Sequence, residues 1–173
     1  MYQVGDFIFY GSTGVCKILD IIKKAPESKE KARLYYKLDP LYQNCTIFTP
    51  VHEAKVFMRP IISKEEAEHL IDTIPSIQAK AYYTHVSSQL AGYYEESLKT
   101  HRCIDLVRLT LSIYAKKRAA QQQNRKFGAV DQRFMKRAEE LLFGELAAAL
   151  SISIEEVPEY ISRRVRPRTK ETK

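Results

Sequence analysis

Residues 4–18, with the sequence VGDFIFYGSTGVCKI, decide how the first part of the chain folds. An apolar and aromatic run meets a short polar link, and a second run rich in β-branched residues follows. Three of the chain's six glycines, Gly5, Gly11 and Gly14, lie in this stretch. Gly11 and Gly14 flank the link and can adopt the positive φ angles that a chain reversal requires. The stretch therefore predicts a β-hairpin that starts a small N-terminal sheet.

Further extended segments follow this hairpin up to about residue 60. Alternation of apolar and polar residues predicts strands over residues 6–10, 15–23, 33–38, 46–49 and 55–59. Turn-forming residues separate them, including a lysine-rich loop at residues 26–31. Five short strands in roughly sixty residues are typical of a small, partly open antiparallel barrel of the SH3 or Tudor type.

The pattern becomes helical after residue 62. Ser63 and Glu66 have the spacing of a capping box, which predicts a helix that begins there and ends at Pro75. A second capping box at Ser153 predicts a short last helix that ends near residue 164. Helical periodicity predicts three longer helices between these two, over residues 79–99, 103–126 and 131–150.

The helix over residues 103–126 has the clearest periodicity, and its predicted apolar face consists of Ile104, Val107, Leu111 and Tyr114. The predicted fold class is α+β, with an N-terminal small Tudor/SH3-like antiparallel β-barrel followed by a C-terminal α-helical bundle. The predicted domains are residues 1–62 and 63–164, and residues 165–173 are predicted to be a basic, disordered tail.

The composition favours an intracellular protein with a polyanionic partner. The formal net charge is +7, and the three cysteines are far apart, which suits a reducing compartment. The N-terminus has no signal-peptide pattern, and no apolar run is long enough to span a bilayer. We therefore expect a soluble, cytoplasmic protein with no membrane partner.

The positive charge is concentrated in one segment. Residues 116–137 contain eight basic residues and one acidic residue, Asp131, so their net charge equals that of the whole chain, +7. The basic residues are Lys116, Lys117, Arg118, Arg125, Lys126, Arg133, Lys136 and Arg137. A helical corner with this charge can bind phosphates. The alternative interpretation is a solvated helix face whose cations complement the helix dipole.

Four tyrosines in two adjacent pairs, Tyr82, Tyr83, Tyr93 and Tyr94, form a second candidate site. Tyrosine rings can stack on bases or enter a minor groove. On an amphipathic helix they are more often half-buried in the core. Adjacent residues do not share a helix face, so some of the four should be exposed.

Motifs of enzymes and metal sites are missing from the sequence. The four histidines and three cysteines have no ligand-type spacing, and no Walker, Gly-x-Ser-x-Gly or His-Glu-x-x-His motif occurs. The Gly11–Gly14 link has no helix behind it, so a turn is favoured over a phosphate-binding loop. We expect no catalytic activity, no metal and no cofactor.

Ordered short motifs over residues 1–150 resemble the CarD/CdnL family of bacterial transcription regulators, whose first module is shared with transcription-repair coupling factor. The motifs are Val4-Gly5-Asp6 with Tyr10 and Gly14-Val15, residues 35–38, Ile47-x-Thr49-Pro50-Val51, Met58-Arg59-Pro60-Ile61, and the helix AEELLFGELA at residues 138–147.

The resemblance implies a Tudor-like domain that binds the β subunit of RNA polymerase, followed by a helical domain that contacts promoter DNA. By position, Lys24 corresponds to a basic polymerase contact, and Phe48 takes the place of a second one, next to Ile47. The implied function is to change the stability of the open complex with little readout of sequence. The implied location is the nucleoid.

The chain departs from this family at one position, because members commonly insert a tryptophan into the minor groove and this chain has none. An ungapped alignment places Ser87 at that position, whereas alignment on Tyr94 places Leu90 there. Tyr83 is the neighbour that could replace the missing ring.

The sequence predicts a non-enzymatic transcription regulator, for which we expect a monomer. The predicted polymerase-binding residues are Lys24, Ile47 and Phe48, and the predicted DNA-binding residues are Lys116, Lys117, Arg118, Arg125, Lys126, Arg133, Arg137, Tyr83 and Ser87. Two alternatives remain open: a basic RNA- or ribosome-binding module, and a protein–protein adaptor with no nucleic-acid role.

Overall fold

The computed structural model describes residues 1–25 and 32–166, in two compact units. The first, called the sheet unit here, is Met1–Ile62, and the second, called the helical unit, is Ser63–Lys173. The lysine-rich loop predicted at residues 26–31 lies outside the described residues, and so does residue 167 onward of the predicted tail.

Five antiparallel strands form the sheet unit in the order β4-β3-β2-β1-β5. Their bounds are β1 Phe7–Tyr10, β2 Gly14–Lys24, β3 Arg33–Pro40, β4 Ile47–Pro50 and β5 Met58–Pro60. The predicted α+β class is therefore confirmed. The sheet is open, with β4 and β5 as its edges, so it only approximates the predicted barrel. The last strand begins later than the predicted residue 55.

The predicted hairpin joins β1 to β2, with Tyr10 opposite Gly14. Gly11 and Gly14 have φ angles of 44° and 91°, as the reversal required. Gly11 also lies against β5, because its N–H donates to the carbonyl oxygen of Phe57 at 2.8 Å. A Cβ at Gly11 would lie 2.5 Å from a methyl carbon of Val56, so this turn requires glycine.

Alternation along the strands sends one set of side chains into the core of the sheet unit. Its buried residues are Ile8, Tyr10, Cys16, Ile18, Tyr36 and Leu38. The register of β2 and β3 shifts between Ile18 and Asp20, so Leu19 is the extra residue of a bulge. Beyond the bulge, Lys24 lies opposite Arg33 near the ends of the two strands.

Five α-helices form the helical unit within residues 63–166: α1 Lys64–Thr73, α2 Ser87–Lys99, α3 Cys103–Gln122, α4 Ala129–Leu150 and α5 Val157–Val165. Ser63 and Glu66 form the predicted capping box at the start of α1. Ser153 and Glu156 form the second one, which precedes α5. Among the described helices, none has both the length and the apolar character needed to cross a membrane.

The predicted helix over residues 79–99 is wrong in its first part, because α2 begins only at Ser87. The hydroxyl of Thr84 accepts a hydrogen bond from the Val86 N–H at 3.2 Å, which offers the backbone an alternative to a helix. Tyr82 lies in this non-helical segment, and its ring stacks on Tyr93 of α2 with 4.1 Å between centroids.

The predicted end of α3 at residue 126 is also wrong, because the helix ends at Gln122. Asn124 adopts a left-handed φ of 52°. The N–H of Arg125 then donates to the carbonyl oxygen of Ala120 at 2.8 Å, which is the hydrogen bond of a Schellman motif. Arg125 and Lys126 therefore lie in the turn between α3 and α4, which begins after Gly128.

Candidate functional site

The sheet unit brings two of its three predicted site residues together. The ammonium of Lys24 lies 3.6 Å from the centroid of the Phe48 ring and 5.8 Å from that of Tyr35. Phe48 exposes 44% of its surface. We call Lys24, Tyr35 and Phe48 the Lys24 patch. A cation over an exposed ring offers a partner both charge and apolar area on one small surface.

Ile47 does not belong to this patch. Adjacent residues of a strand point to opposite faces, and Ile47 packs against the core cluster of the sheet unit while Phe48 is exposed. Ile47 lies opposite Leu38 in the register of β3 and β4. Its contribution to any contact on the Phe48 face is therefore indirect, through the position of β4.

The prediction that Lys116 belongs to an exposed basic surface is wrong, because Lys116 is buried in the helical unit. Its side chain exposes 9%, and its ammonium donates to Oδ1 of Asp131 at 2.6 Å. The same ammonium lies 3.3 Å from the hydroxyl oxygen of Tyr94. The Tyr94 hydroxyl in turn donates to Oδ1 of Asp131 at 2.5 Å. We call Lys116, Asp131 and Tyr94 the Lys116 network.

The network links three helices, since Tyr94, Lys116 and Asp131 lie on α2, α3 and α4. Asp131 is in the first turn of α4, where the helix dipole stabilises a carboxylate. Burial, and then the hydrogen bond to Asp131, raise the pKa of Tyr94 above its usual value of 10.0. The phenol therefore stays neutral and keeps its donated hydrogen bond well into the alkaline range.

A surface groove of about 580 Å³ brings together the predicted residues Tyr83, Ser87, Arg125 and Lys126. We call it the Tyr83 groove. Lys116 and Asp131 also line it, together with the apolar residues Leu90, Ala119, Ala120, Phe127 and Val130. The segment before α2, the last turns of α3 and the turn into α4 therefore build one site.

Tyr83 exposes 65% of its surface, and its ring centroid lies 5.2 Å from the Lys116 ammonium. The other three tyrosines of the predicted site are less available. Tyr94 is buried in the helical core, and Tyr82 and Tyr93 stack on each other. Tyr83 is therefore the ring of this set that a ligand can reach most easily.

The remaining predicted cations lie at the surface of α3 and α4. Arg118, Arg133 and Lys136 are exposed, while Lys117 and Arg137 are partly buried. Arg137 lies 3.6 Å from Glu140, and the Arg133 guanidinium lies 5.0 Å from the centroid of the Phe134 ring. A second groove is lined by Arg133, Lys136 and Arg137, together with Glu95, Phe134 and Glu140. The basic segment therefore divides into two groups that line grooves, the interior Lys116, and two residues of α3, Lys117 and Arg118, that line neither groove.

Metal ligands do not cluster within the part of the chain that the structure describes, where no group of three or more His, Cys, Asp or Glu residues could hold an ion. The three cysteines are free. Burial raises the pKa of the Cys16 thiol to about 12, which disfavours the reactive thiolate.

The Lys116 network was not predicted from the sequence, although the helical spacing contained a signal for it. Leu106, Leu109, Ile113 and Lys116 are all buried along one stripe of α3. Asp131, Met135, Ala138 and Leu142 form the buried stripe of α4. Lys116 and Asp131 have opposite charges, and each lies on an apolar stripe. Because ionisable residues are rarely buried unless they are paired, this pattern predicts an interior ion pair.

Comparison with known families identifies the sheet unit. Residues 2–62 match the family model of the CarD-like/TRCF RID domain, which covers almost the whole sheet unit. This match confirms the resemblance predicted for the sheet unit, and it indicates a transcription-related role with RNA polymerase as a partner. No curated protein matches the chain.

Proposed function

We propose, because residues 2–62 form a CarD-like/TRCF RID domain, that this chain is a non-enzymatic transcription regulator that binds the RNA polymerase β subunit and promoter DNA. The family match is the observation that carries the proposal. The sheet unit determines where the protein binds on polymerase, and the helical unit contacts the DNA next to it.

The polymerase contact is assigned to the Lys24 patch. The Phe48 ring and the Lys24 ammonium are 3.6 Å apart, so a partner surface would meet them as one unit. An exposed cation over an aromatic ring suits a partner with a carboxylate beside an apolar side chain. Ile47 supports the patch from the opposite face of β4.

The DNA contact is assigned to exposed cations of the helical unit. Arg118, Arg125, Lys126, Arg133 and Lys136 are exposed. None of the five has an ion-pair partner in the described part of the chain. Such cations bind phosphates and release condensed counterions, which gives affinity without base readout. The same contact would associate the protein with the bacterial nucleoid.

The effect on transcription follows from joining these two contacts in one chain. Docking on polymerase raises the effective concentration of the cations near one DNA segment, so weak backbone contacts become occupied there. A protein that holds DNA beside the opened segment changes the free energy of the open complex relative to the closed one. The proposed function therefore predicts a change in the lifetime of the open complex, which is the quantity to measure.

Co-precipitation of the full-length chain with RNA polymerase tests the first contact. We expect the Lys24→Ala and Phe48→Ala variants to lower the amount of polymerase bound. Lys17→Ala is the matched control, because Lys17 lies over another ring, Phe7, at 5.8 Å. Retention that is equal in all three variants and the wild type would assign docking to a different face.

The lifetime of the open complex tests the second contact. We expect the wild type to change this lifetime and the double variant Arg125→Ala/Lys126→Ala to reduce that change. The Arg102→Ala variant is the control, because Arg102 is already paired with Asp105 at 2.7 Å. No change of lifetime with the wild type, although polymerase is bound, would contradict the proposed regulatory role.

A further inference from the structure

The geometry points to a binding site for one unpaired nucleotide in the Tyr83 groove, with the base stacked on Tyr83 and its phosphate bound by Arg125 and Lys126. The inference rests on the proposed function in one respect, which is that the nucleotide belongs to a DNA strand. It adds a preference for single-stranded DNA to the backbone contacts proposed above.

Tyr83 has the exposure and the support that a stacking platform needs. Its ring is 65% exposed, and the Lys116 ammonium lies 5.2 Å from the ring centroid. This cation is attracted to the ring, which leaves the rest of the exposed aromatic surface to a ligand. Stacking of a base on an aromatic ring is tolerant of sequence, because every base has a π-face.

Lys116 is the positioning residue of the site. It cannot move freely, because its ammonium donates to Asp131 at 2.6 Å and its side chain is 9% exposed. The buried network therefore holds the ammonium beside the platform, although Tyr83 itself lies outside α2. A loop tyrosine near a fixed interior cation loses less conformational entropy on binding than a free one.

Two cations on a defined turn supply the phosphate contact. Arg125 and Lys126 are exposed and line the same groove as Tyr83. The backbone of Arg125 is held by its hydrogen bond to Ala120 at 2.8 Å, so the turn presents both side chains from a fixed position. Arginine and lysine are the residues that bind phosphate by charge and by hydrogen bonds.

The groove suits an unpaired nucleotide better than a base pair. Its volume of about 580 Å³ lies in the usual range of sites for small ligands. A base inside a duplex has both faces covered by its neighbours, so Tyr83 could not stack on it without unstacking them. An unpaired base offers its face directly, whereas a duplex would reach only the cations.

Fluorescence anisotropy of the full-length chain with a labelled twelve-nucleotide strand and with the corresponding duplex tests this site. We expect tighter binding of the strand and a fall of about five-fold or more in the ratio of strand to duplex affinity for Tyr83→Ala. Tyr83→Phe keeps the ring and should restore the ratio. Arg102→Ala is the control, since Arg102 is paired with Asp105 and does not line the groove, so the ratio should stay unchanged.

A tryptophan probe gives a second measurement, because the chain contains no tryptophan. In the Tyr83→Trp variant, we expect the unlabelled strand to quench the single indole and the duplex to leave it nearly unchanged. Quenching by ATP at lower concentrations than by the strand would overturn the assignment to DNA. Equal quenching by strand and duplex would overturn the preference for an unpaired base.

The possible failures are distinguishable. If Tyr83→Ala leaves the ratio of strand to duplex affinity unchanged while duplex binding remains salt-dependent, the groove assignment is wrong and the proposed function stands. If neither form of DNA binds to the wild type, alone or with polymerase, the DNA contact of the proposed function fails as well.

Discussion

The ammonium of Lys116 lies 2.6 Å from Oδ1 of Asp131 inside the helical unit, where each of the two side chains exposes 9%. The pair joins α3 to α4 and also receives the hydroxyl of Tyr94 from α2. A buried ion pair is weak evidence for net stability, but removal of one partner leaves an uncompensated charge in the interior. The pair therefore makes the packing of three helices sensitive to single substitutions.

The Lys116→Met variant should lower the free energy of unfolding of the helical unit by about 3–5 kcal/mol, because Asp131 is left without its cation. Urea unfolding followed by circular dichroism at a helical wavelength measures this change. The control is Lys126→Met, which removes an exposed cation of the same segment and should alter the free energy by less than about 0.5 kcal/mol. Equal effects of the two variants would mean that the interior pair contributes nothing.

The Tyr94→Phe variant should have a lower free energy of unfolding than the wild type at pH 8, and this difference should decrease at alkaline pH. Folding raises the pKa of Tyr94 above 10.0, chiefly through burial, so the native state keeps the proton that the unfolded chain releases. The wild type is therefore stabilised below pH 10 and loses this contribution as the pH rises above it. The difference in unfolding free energy between wild type and variant should shrink between pH 9 and pH 11. A difference that stays constant between pH 9 and pH 11 would contradict this prediction.

Much of the fold could be predicted from the sequence because its signals are local. The glycines of the β1–β2 turn and the two serine capping boxes each act within a few residues, and each is present in the structure. The start of α2 was mispredicted because Thr84 diverts the Val86 N–H from helical bonding. The start of the helix therefore depends on one hydrogen bond to a side chain, and the spacing of apolar residues does not predict such a bond.

The candidate site was predicted less well, because net charge does not tell which way a side chain points. The face expected for α3 contained Leu111 and Tyr114, whereas the buried stripe contains Leu109, Ile113 and Lys116. When the buried face of α3 is predicted a fraction of a turn away from its real position, Lys116 is predicted to be exposed although it lies in the core. The proximity of Tyr83 to Arg125 depends on tertiary packing, so it became visible only in the structure.

The salt dependence of DNA binding should separate the surface cations without an ion-pair partner from a surface cation that is already paired. Arg125→Ala, Lys126→Ala and Arg133→Ala should each reduce the slope of log affinity against log salt concentration by about 0.9 for every phosphate that the variant no longer neutralises. Arg102→Ala is the paired-cation control and should leave the slope nearly unchanged, because Asp105 lies 2.7 Å from its guanidinium. Slopes that are equal in all four variants would place the DNA-binding surface elsewhere on the protein.

Two glycine-to-alanine variants should change stability in opposite directions. Gly92 is inside α2 and a Cβ there meets nothing within 4 Å, so Gly92→Ala should stabilise the helical unit by about 0.5–1 kcal/mol. A Cβ at Gly128 would lie 2.9 Å from Oδ2 of Asp131. That carboxylate is held by Lys116 and Tyr94, so Gly128→Ala should destabilise by about 1–3 kcal/mol.

Urea unfolding of the two glycine variants beside the wild type measures both effects under the same conditions. Gly128 has a φ of −63°, which every residue adopts readily, so backbone strain would not explain a loss at this position. The remaining cause is displacement of the Asp131 carboxylate from its two donors. A Gly128→Ala variant as stable as the wild type would show that Asp131 has room to move and that the Lys116 network is loosely held.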